Sequence, residues 1–283
     1  MTRGALTPVR NEMNKTPFSG RVHRLNVQGR ALEVLRIAGA DADAPEVVFL
    51  HEGLGSVSHW KDFPVRVAAR TGCGVTVYSR YGAGNSEVLG EPRAVSYMHD
   101  EALLVLPELL AKLGIERSIL VGHSDGASIA LIYAGAHDRL RGLVVLAPHV
   151  FVEDLSVASI AEAKVKFETT NLAEKLARHH RDAARTFWGW NDIWLDPEFR
   201  SWNIEEYLPR VQCPMLVIQG LNDQYGTMAQ VEAIRRQSGG PVEVLALAEC
   251  RHSPQRDQAE ATLEAIAKFV MGIRGSDPSC VGV

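Results

Sequence analysis

Short, continuously apolar runs alternate with stretches of helical spacing along most of the chain. "EVVFLHEG" and "GVTVYSR" have the pattern of strands buried on both faces of a sheet. "SILVGHS", "LRGLVVLAPHV", "PMLVIQG" and "VEVLALAEC" repeat it further on. Ahead of them, "HRLNVQGRALEVLRIA" reads as two β segments around a turn at Gln28 and Gly29. Between the strands, "DEALLVLPELLAKLGI" has helical spacing and a stop at Gly114, and "GASIALIYAGAH" follows its strand as a helix. "TMAQVEAIRRQSG" and "QRDQAEATLEAIAKFVMGI" are the later helices. This alternation predicts a mostly parallel central sheet flanked by helices on both faces, an α/β fold.

One stretch breaks the rhythm. Residues 151–208 carry no strand-like run, only helical segments such as "VASIAEAKVKFETT" and "LAEKLARHHRDAARTFWGW". An insertion of that kind between two sheet strands predicts a separate helical layer, a cap over one edge of the sheet. The expected organisation is a core of residues 19–150 and 209–274, a cap at 151–208, a flexible leader at 1–18 and a frayed tail at 275–283. The leader contains no apolar h-region, so it is not read as a secretory signal, and Met13 is a candidate alternative start.

Composition narrows the class. With 283 residues, 46% hydrophobic and 23% charged, and a net charge of −4, the chain reads as an ordinary soluble globular protein with ample core. No basic stripe points to nucleic acid, and no run of about 18 apolar residues points to a membrane span. Cys73, Cys213, Cys250 and Cys280 show no metal spacing and read as free thiols of a reducing, cytoplasmic compartment. A homodimer is left open.

The chemistry begins at "ILVGHSDGA", residues 119–127, where a buried strand ends in a serine between two glycines. A strand that turns at once into a helix strains the corner residue and demands small neighbours two positions away. Gly122 and Gly126 meet that demand around Ser124, the G-x-S-x-G nucleophile elbow. A serine hydroxyl needs a histidine to take its proton, and the imidazole needs an acid to fix its tautomer. Asp223 follows the strand "PMLVIQG", and His252 follows the next strand, so the order Ser124, Asp223, His252 is that of an open α/β sheet using this chemistry. Oxyanion donors are expected from the Asp125 N–H and from "LHEGLGS", with Gly53 ahead of Leu54.

These residues resemble those of an α/β-hydrolase-fold enzyme from about Gly20 to Ile273. "LHEGLGS" resembles the family's His-Gly oxyanion loop, and "YSRYGAGNS" its Arg-Gly-x-Gly-x-Ser loop. "GLND" and "CRHSP" resemble the loops carrying acid and base, and "LAPHVFVED" the exit into a helical cap, as in cap-bearing esterases and C–C bond hydrolases. The resemblance implies an α/β-hydrolase fold with an inserted helical cap and a serine hydrolase acting on a carboxylic ester of a small or aromatic substrate. It leaves open C–C cleavage of a ring-fission product, a lactone or a thioester, and in another class a non-catalytic ligand-binding relative. Ser124 sets the chain apart from relatives that use an aspartate nucleophile. Three positions depart from the family pattern: Glu52 and Arg251 where glycine is usual, and Asp125 where an apolar or bulky residue is common. Arg251 is a candidate either to neutralise one of the two carboxylates or to bind an acidic substrate.

The cap segment "FWGWNDIWLDPEFRSWNIEEY" holds four of the five tryptophans. Trp188, Trp190 and Trp194 are candidates to line a pocket, with His149 beside the catalytic edge. His179 and His180, adjacent on a helix, point in different directions and read as a surface pair, not a metal site. No phosphate-cradling or dinucleotide-binding spacing is present, so no cofactor and no metal are expected.

Overall fold

The computed structural model describes residues 20–275, and the predicted leader and all but the first residue of the predicted tail lie outside them. The strands are β1 (Gly20–Val27), β2 (Arg30–Ile37), β3 (Glu46–Leu50), β4 (Val75–Ser79), β5 (Ser118–His123), β6 (Leu140–Leu146), β7 (Met215–Gly220) and β8 (Val242–Leu247). They form one sheet in the order β1-β2-β4-β3-β5-β6-β7-β8. β1, β2 and β4 pair antiparallel, and every pairing from β4 to β8 is parallel. The inner strands β4 and β5 are buried at every position, as continuously apolar runs require of a sheet covered on both faces.

The helices are α1 (Phe63–Thr71), α2 (Tyr97–Asp100), α3 (Leu106–Leu113), α4 (Asp125–Ala136), α5 (Asp154–Thr169), α6 (Leu172–Ala177), α7 (Ala183–Leu195), α8 (Met228–Gln237), α9 (Pro254–Asp257) and α10 (Ala259–Gly275). α4 is buried from Asp125 through Gly135, because the sheet lies on one side of it and other helices on the other. Its evenly apolar sequence follows from that position. α1 and α10 cover the opposite face, packing Val67, Ala68, Ile266 and Val270 against Phe49, Val77 and Val121.

α1 is absent from the pattern reading. Val65 and Val67 alternate like strand residues, and β-branched side chains are weak helix formers. The signals that were present are Pro64 in the first turn and Gly72, which closes the helix in the left-handed conformation at φ 70°. Between β6 and β7, residues 154–210 hold α5, α6, α7 and two short 3-10 turns, with no sheet strand. The helical segment "LAEKLARHHRDAARTFWGW" holds two helices, α6 and the first part of α7. It breaks between Arg178 and Asp182, and the Asp182 side chain accepts the Arg185 N–H to cap α7.

Candidate active site

Three chemistry-bearing residues leave the carboxyl edge of the sheet from β5, β7 and β8. Ser124 follows β5 directly, with φ 53° and ψ −120°, a conformation that costs a non-glycine residue about 1–3 kcal/mol. The corner is held by the Ser124 N–H, which donates to Leu146 O of β6 at 2.9 Å. It is also crowded. A β-carbon at Gly126 would lie 2.1 Å from Leu50 O, and one at Gly122 would lie 2.3 Å from Gly126 O. Both glycines therefore follow from backbone packing, and they turn the serine hydroxyl out of the sheet.

His252 Nε2 lies 2.9 Å from Ser124 Oγ, and His252 Nδ1 lies 2.9 Å from each carboxylate oxygen of Asp223. With Nδ1–H donating to the carboxylate, Nε2 carries the lone pair and accepts the serine proton. Asp223 is fixed independently: Oδ1 accepts the Tyr225 N–H at 2.8 Å, and Oδ2 accepts from Gln219 Nε2 at 2.9 Å. Burial works to raise its carboxyl, but the His252 bond and charge and the Tyr225 N–H outweigh it and hold the group below its usual value. The acid and base loops are tied together, since the Asn222 N–H donates to Cys250 O at 2.9 Å. His123 Nε2 holds the base from behind, donating to His252 O at 2.7 Å.

The N–H groups of Gly53, Leu54 and Asp125 make no hydrogen bond among the described residues. Asp125 opens α4, so its N–H is one of the free donors of a helix N-terminus. Gly53 is covered by the Trp190 indole. Its N–H shares a peptide unit with Glu52 O, which accepts from Gly55 N (3.0 Å), His51 Nδ1 (2.6 Å) and Arg80 Nη2 (2.9 Å). A planar trans peptide with its carbonyl so held has its N–H direction fixed as well.

The two unusual carboxylates are both compensated. Asp125 is 1% exposed; its Oδ2 accepts from Tyr97 Oη at 2.7 Å and lies 3.6 Å from Arg80 Nη2. Burial pulls the Arg80 guanidinium down, but Asp125 and Glu101 more than restore it. Glu52 meets His123 Nδ1 at 3.4 Å and Arg256 Nη2 at 3.8 Å. Burial raises the Glu52 carboxyl, but His123, His59 and Arg256 together hold it well below the ordinary range. Neither carboxylate is neutralised by Arg251, which is exposed; its backbone is engaged, the N–H donating to Asp257 Oδ2 at 2.8 Å and the carbonyl accepting from Cys250 Sγ at 3.5 Å. Arg80 and Arg256 do the work expected of Arg251. Arg80 was legible only as part of the loop motif "YSRYGAGNS", whose spacing gives no hint that the guanidinium is buried.

Around the serine, 7% exposed, the walls are aromatic. The Tyr225 and His149 rings lie 4.7 Å and 5.6 Å from the His252 ring. Burial, then the charge of His252, push His149 down to about 4, so it is a neutral imidazole at pH 7, and its Nδ1 has no partner. Trp194 is edge-on to His149 at 5.2 Å and donates Nε1–H to Tyr97 Oη at 3.1 Å. Trp188 takes a different place, packed on Phe167 with Lys164 above its ring. His180 is buried and not on the surface: it accepts the Gly84 N–H at 2.9 Å and donates to Leu54 O at 3.0 Å, joining two loops to the helical layer. Among the described residues no group of three or more His, Cys, Asp or Glu is placed to hold a metal ion, and no helix is long and apolar enough to cross a membrane.

The geometry agrees with the comparisons. The model of the "Alpha/beta hydrolase family" matches residues 47–265. The proline iminopeptidase of Lactobacillus delbrueckii subsp. lactis is 31% identical over 98 residues, 35% of this chain and 33% of the relative. The aligned region thus spans about a third of that protein's length. A putative carbamate hydrolase RutD of Caulobacter sp. (strain K31) is 28% identical over 66% of this chain and 76% of its own. Among solved structures, the haloalkane dehalogenase DbeA of Bradyrhizobium elkani USDA94 superposes with a TM-score of 0.72 at 20% identity, covering 92% of this chain and all of that one; this likeness is one of fold. The chain belongs to the alpha/beta hydrolase family and has its fold.

Proposed function

We propose that this alpha/beta hydrolase is a serine hydrolase that cleaves a carboxylic ester of a small or aromatic substrate. The observation that carries the reading is the unbroken line from Ser124 Oγ through the His252 imidazole to Asp223, with each hydrogen-bond distance along it 2.9 Å. In the reaction, Ser124 Oγ attacks the ester carbonyl while His252 Nε2 takes its proton. The carbonyl oxygen becomes an oxyanion facing the N–H groups of Gly53 and Asp125. Collapse expels the alcohol, which receives the proton from His252, and leaves an acyl group on Ser124. Water then attacks the acyl-enzyme, losing a proton to His252; the bond from the acyl carbon to Ser124 Oγ breaks, releasing the acid, and His252 returns the proton to Ser124 Oγ. Asp223 keeps the imidazole in the tautomer this needs and stabilises the imidazolium. Trp190, Trp194 and Tyr225 supply flat apolar walls suited to an aryl or short alkyl group. The helical layer at residues 154–210 is the cap over this site, and the reaction needs no cofactor.

A panel tests the bond type: p-nitrophenyl acetate, butyrate, octanoate and benzoate beside proline p-nitroanilide, an aryl carbamate and a ring-fission dienoate. The reading predicts that acetate, butyrate or benzoate gives the highest kcat/KM. A dienoate, anilide or carbamate exceeding every ester by tenfold or more contradicts it.

A further inference from the structure

The serine-hydrolase reading needs two N–H donors on different parts of the fold, and the structure joins them through side chains. One donor belongs to Asp125 and the other to Gly53. Arg80 Nη2 lies 3.6 Å from the Asp125 carboxylate, and the same nitrogen donates to Glu52 O at 2.9 Å and to His51 O at 3.3 Å. One guanidinium therefore touches the side chain of the first donor residue and the carbonyl of the peptide that bears the second. Both charged groups are sealed from solvent, Arg80 at 2% and Asp125 at 1%. At that depth a charge cannot be left alone, so the pair is obligatory once either member is present. The chain of contacts continues outward. Tyr97 Oη donates to Asp125 Oδ2 at 2.7 Å and accepts Trp194 Nε1–H at 3.1 Å, which ties α7 of the helical layer to the same point.

We propose that Arg80, Asp125 and Tyr97 are positioning residues for the oxyanion site, setting the Gly53 and Asp125 N–H groups against each other and linking that setting to the seat of α7. This rests on the serine-hydrolase reading and adds to it a reason for the carboxylate after the nucleophile. Asp125 Oδ2 is engaged by Tyr97 and faces Arg80, and Oδ1 is buried without a partner, so the carboxylate serves to hold the backbone and not to bind the substrate. Displacement of a catalytic donor by a fraction of an ångström costs rate more than affinity, because the oxyanion forms only in the transition state.

The test uses Tyr97→Phe, which removes one hydroxyl and keeps the ring, and Asp125→Asn, which keeps shape and removes the charge. Two readouts are taken on the full chain: kcat and KM on the best p-nitrophenyl ester, and the second-order rate of Ser124 phosphonylation by a fluorophosphonate, whose transition state also develops charge on oxygen. Both variants are expected to lose on the order of tenfold in kcat and in phosphonylation rate, with KM within twofold. Unchanged rates with only a lowered Tm overturn the proposal, as does a rise in KM at constant kcat. If Asp125→Asn fails to fold, Tyr97→Phe decides alone. A wild-type chain in which Ser124 is not phosphonylated contradicts the serine-hydrolase reading itself, a result distinct from fast phosphonylation in both variants.

Discussion

The Trp190 indole lies against the backbone of Gly53: a β-carbon on residue 53 would sit 2.1 Å from Trp190 Cδ1. The obstacle is a side chain, so it can move, but only by disturbing the packing of α7. Gly53→Ala is therefore expected to fold while losing on the order of tenfold in kcat/KM. Gly53→Ala in a Trp190→Ala background should lose less than twofold relative to Trp190→Ala alone. An additive double-mutant cycle would show that the two residues do not meet as described.

The glycines flanking Ser124 face backbone instead, and backbone does not yield. Gly126→Ala would put a methyl group 2.1 Å from Leu50 O, at the carboxyl end of β3. The expected loss is at least about 3 kcal/mol in urea unfolding. A loss below about 1 kcal/mol would mean that β3 and α4 are not held as closely as the fold requires.

His149 supplies a pH prediction. Its buried imidazole titrates at about 4, against about 6.5 for an exposed histidine. Between those values the unfolded chain takes up a proton that the native protein does not. Stability should therefore fall as pH drops from 6.5 to 4, by roughly 3 kcal/mol from this residue, with no further loss from it below 4. Asp223, held below its usual value by His252, loses stability in the same direction as pH falls through its folded pKa. Tm profiles of wild type and His149→Gln from pH 7 to 4 check the point. The variant should be visibly flatter, and parallel profiles would contradict the assignment.

Asp223→Asn should leave the fold intact and lower kcat by on the order of 10³ to 10⁴, because an amide in place of the carboxylate favours the wrong His252 tautomer. Steady-state kinetics with circular dichroism measure it. A loss under tenfold would remove Asp223 from the mechanism.

Much of this was legible in the chain because the strands are buried on both faces and their apolar runs are continuous. Such a sheet announces itself, and residues placed just past its strand ends, as Ser124, Asp223 and His252 are, share one edge by topology alone. What pattern could not reach was pairing between distant side chains. Nothing in the sequence links Asp125 to Arg80 or Glu52 to Arg256; those partnerships depend on how loops fold over the edge. Arg251 was the natural candidate by proximity to His252, yet its side chain stands in solvent. His180 reads as polar surface, but two loop backbones enclose it. α1 went unseen because Val65 and Val67 alternate like a strand, and only tertiary packing on Phe49 and Val77 makes that face helical.

The central claim is that Ser124 is the nucleophile activated by His252. Incubation with a fluorophosphonate followed by peptide mapping addresses it directly, with wild type, Ser124→Ala and His252→Ala side by side. The account predicts one adduct, on Ser124, formed at least a hundredfold more slowly in His252→Ala and absent in Ser124→Ala. Labelling on another residue, or equal labelling of Ser124 without His252, would contradict it.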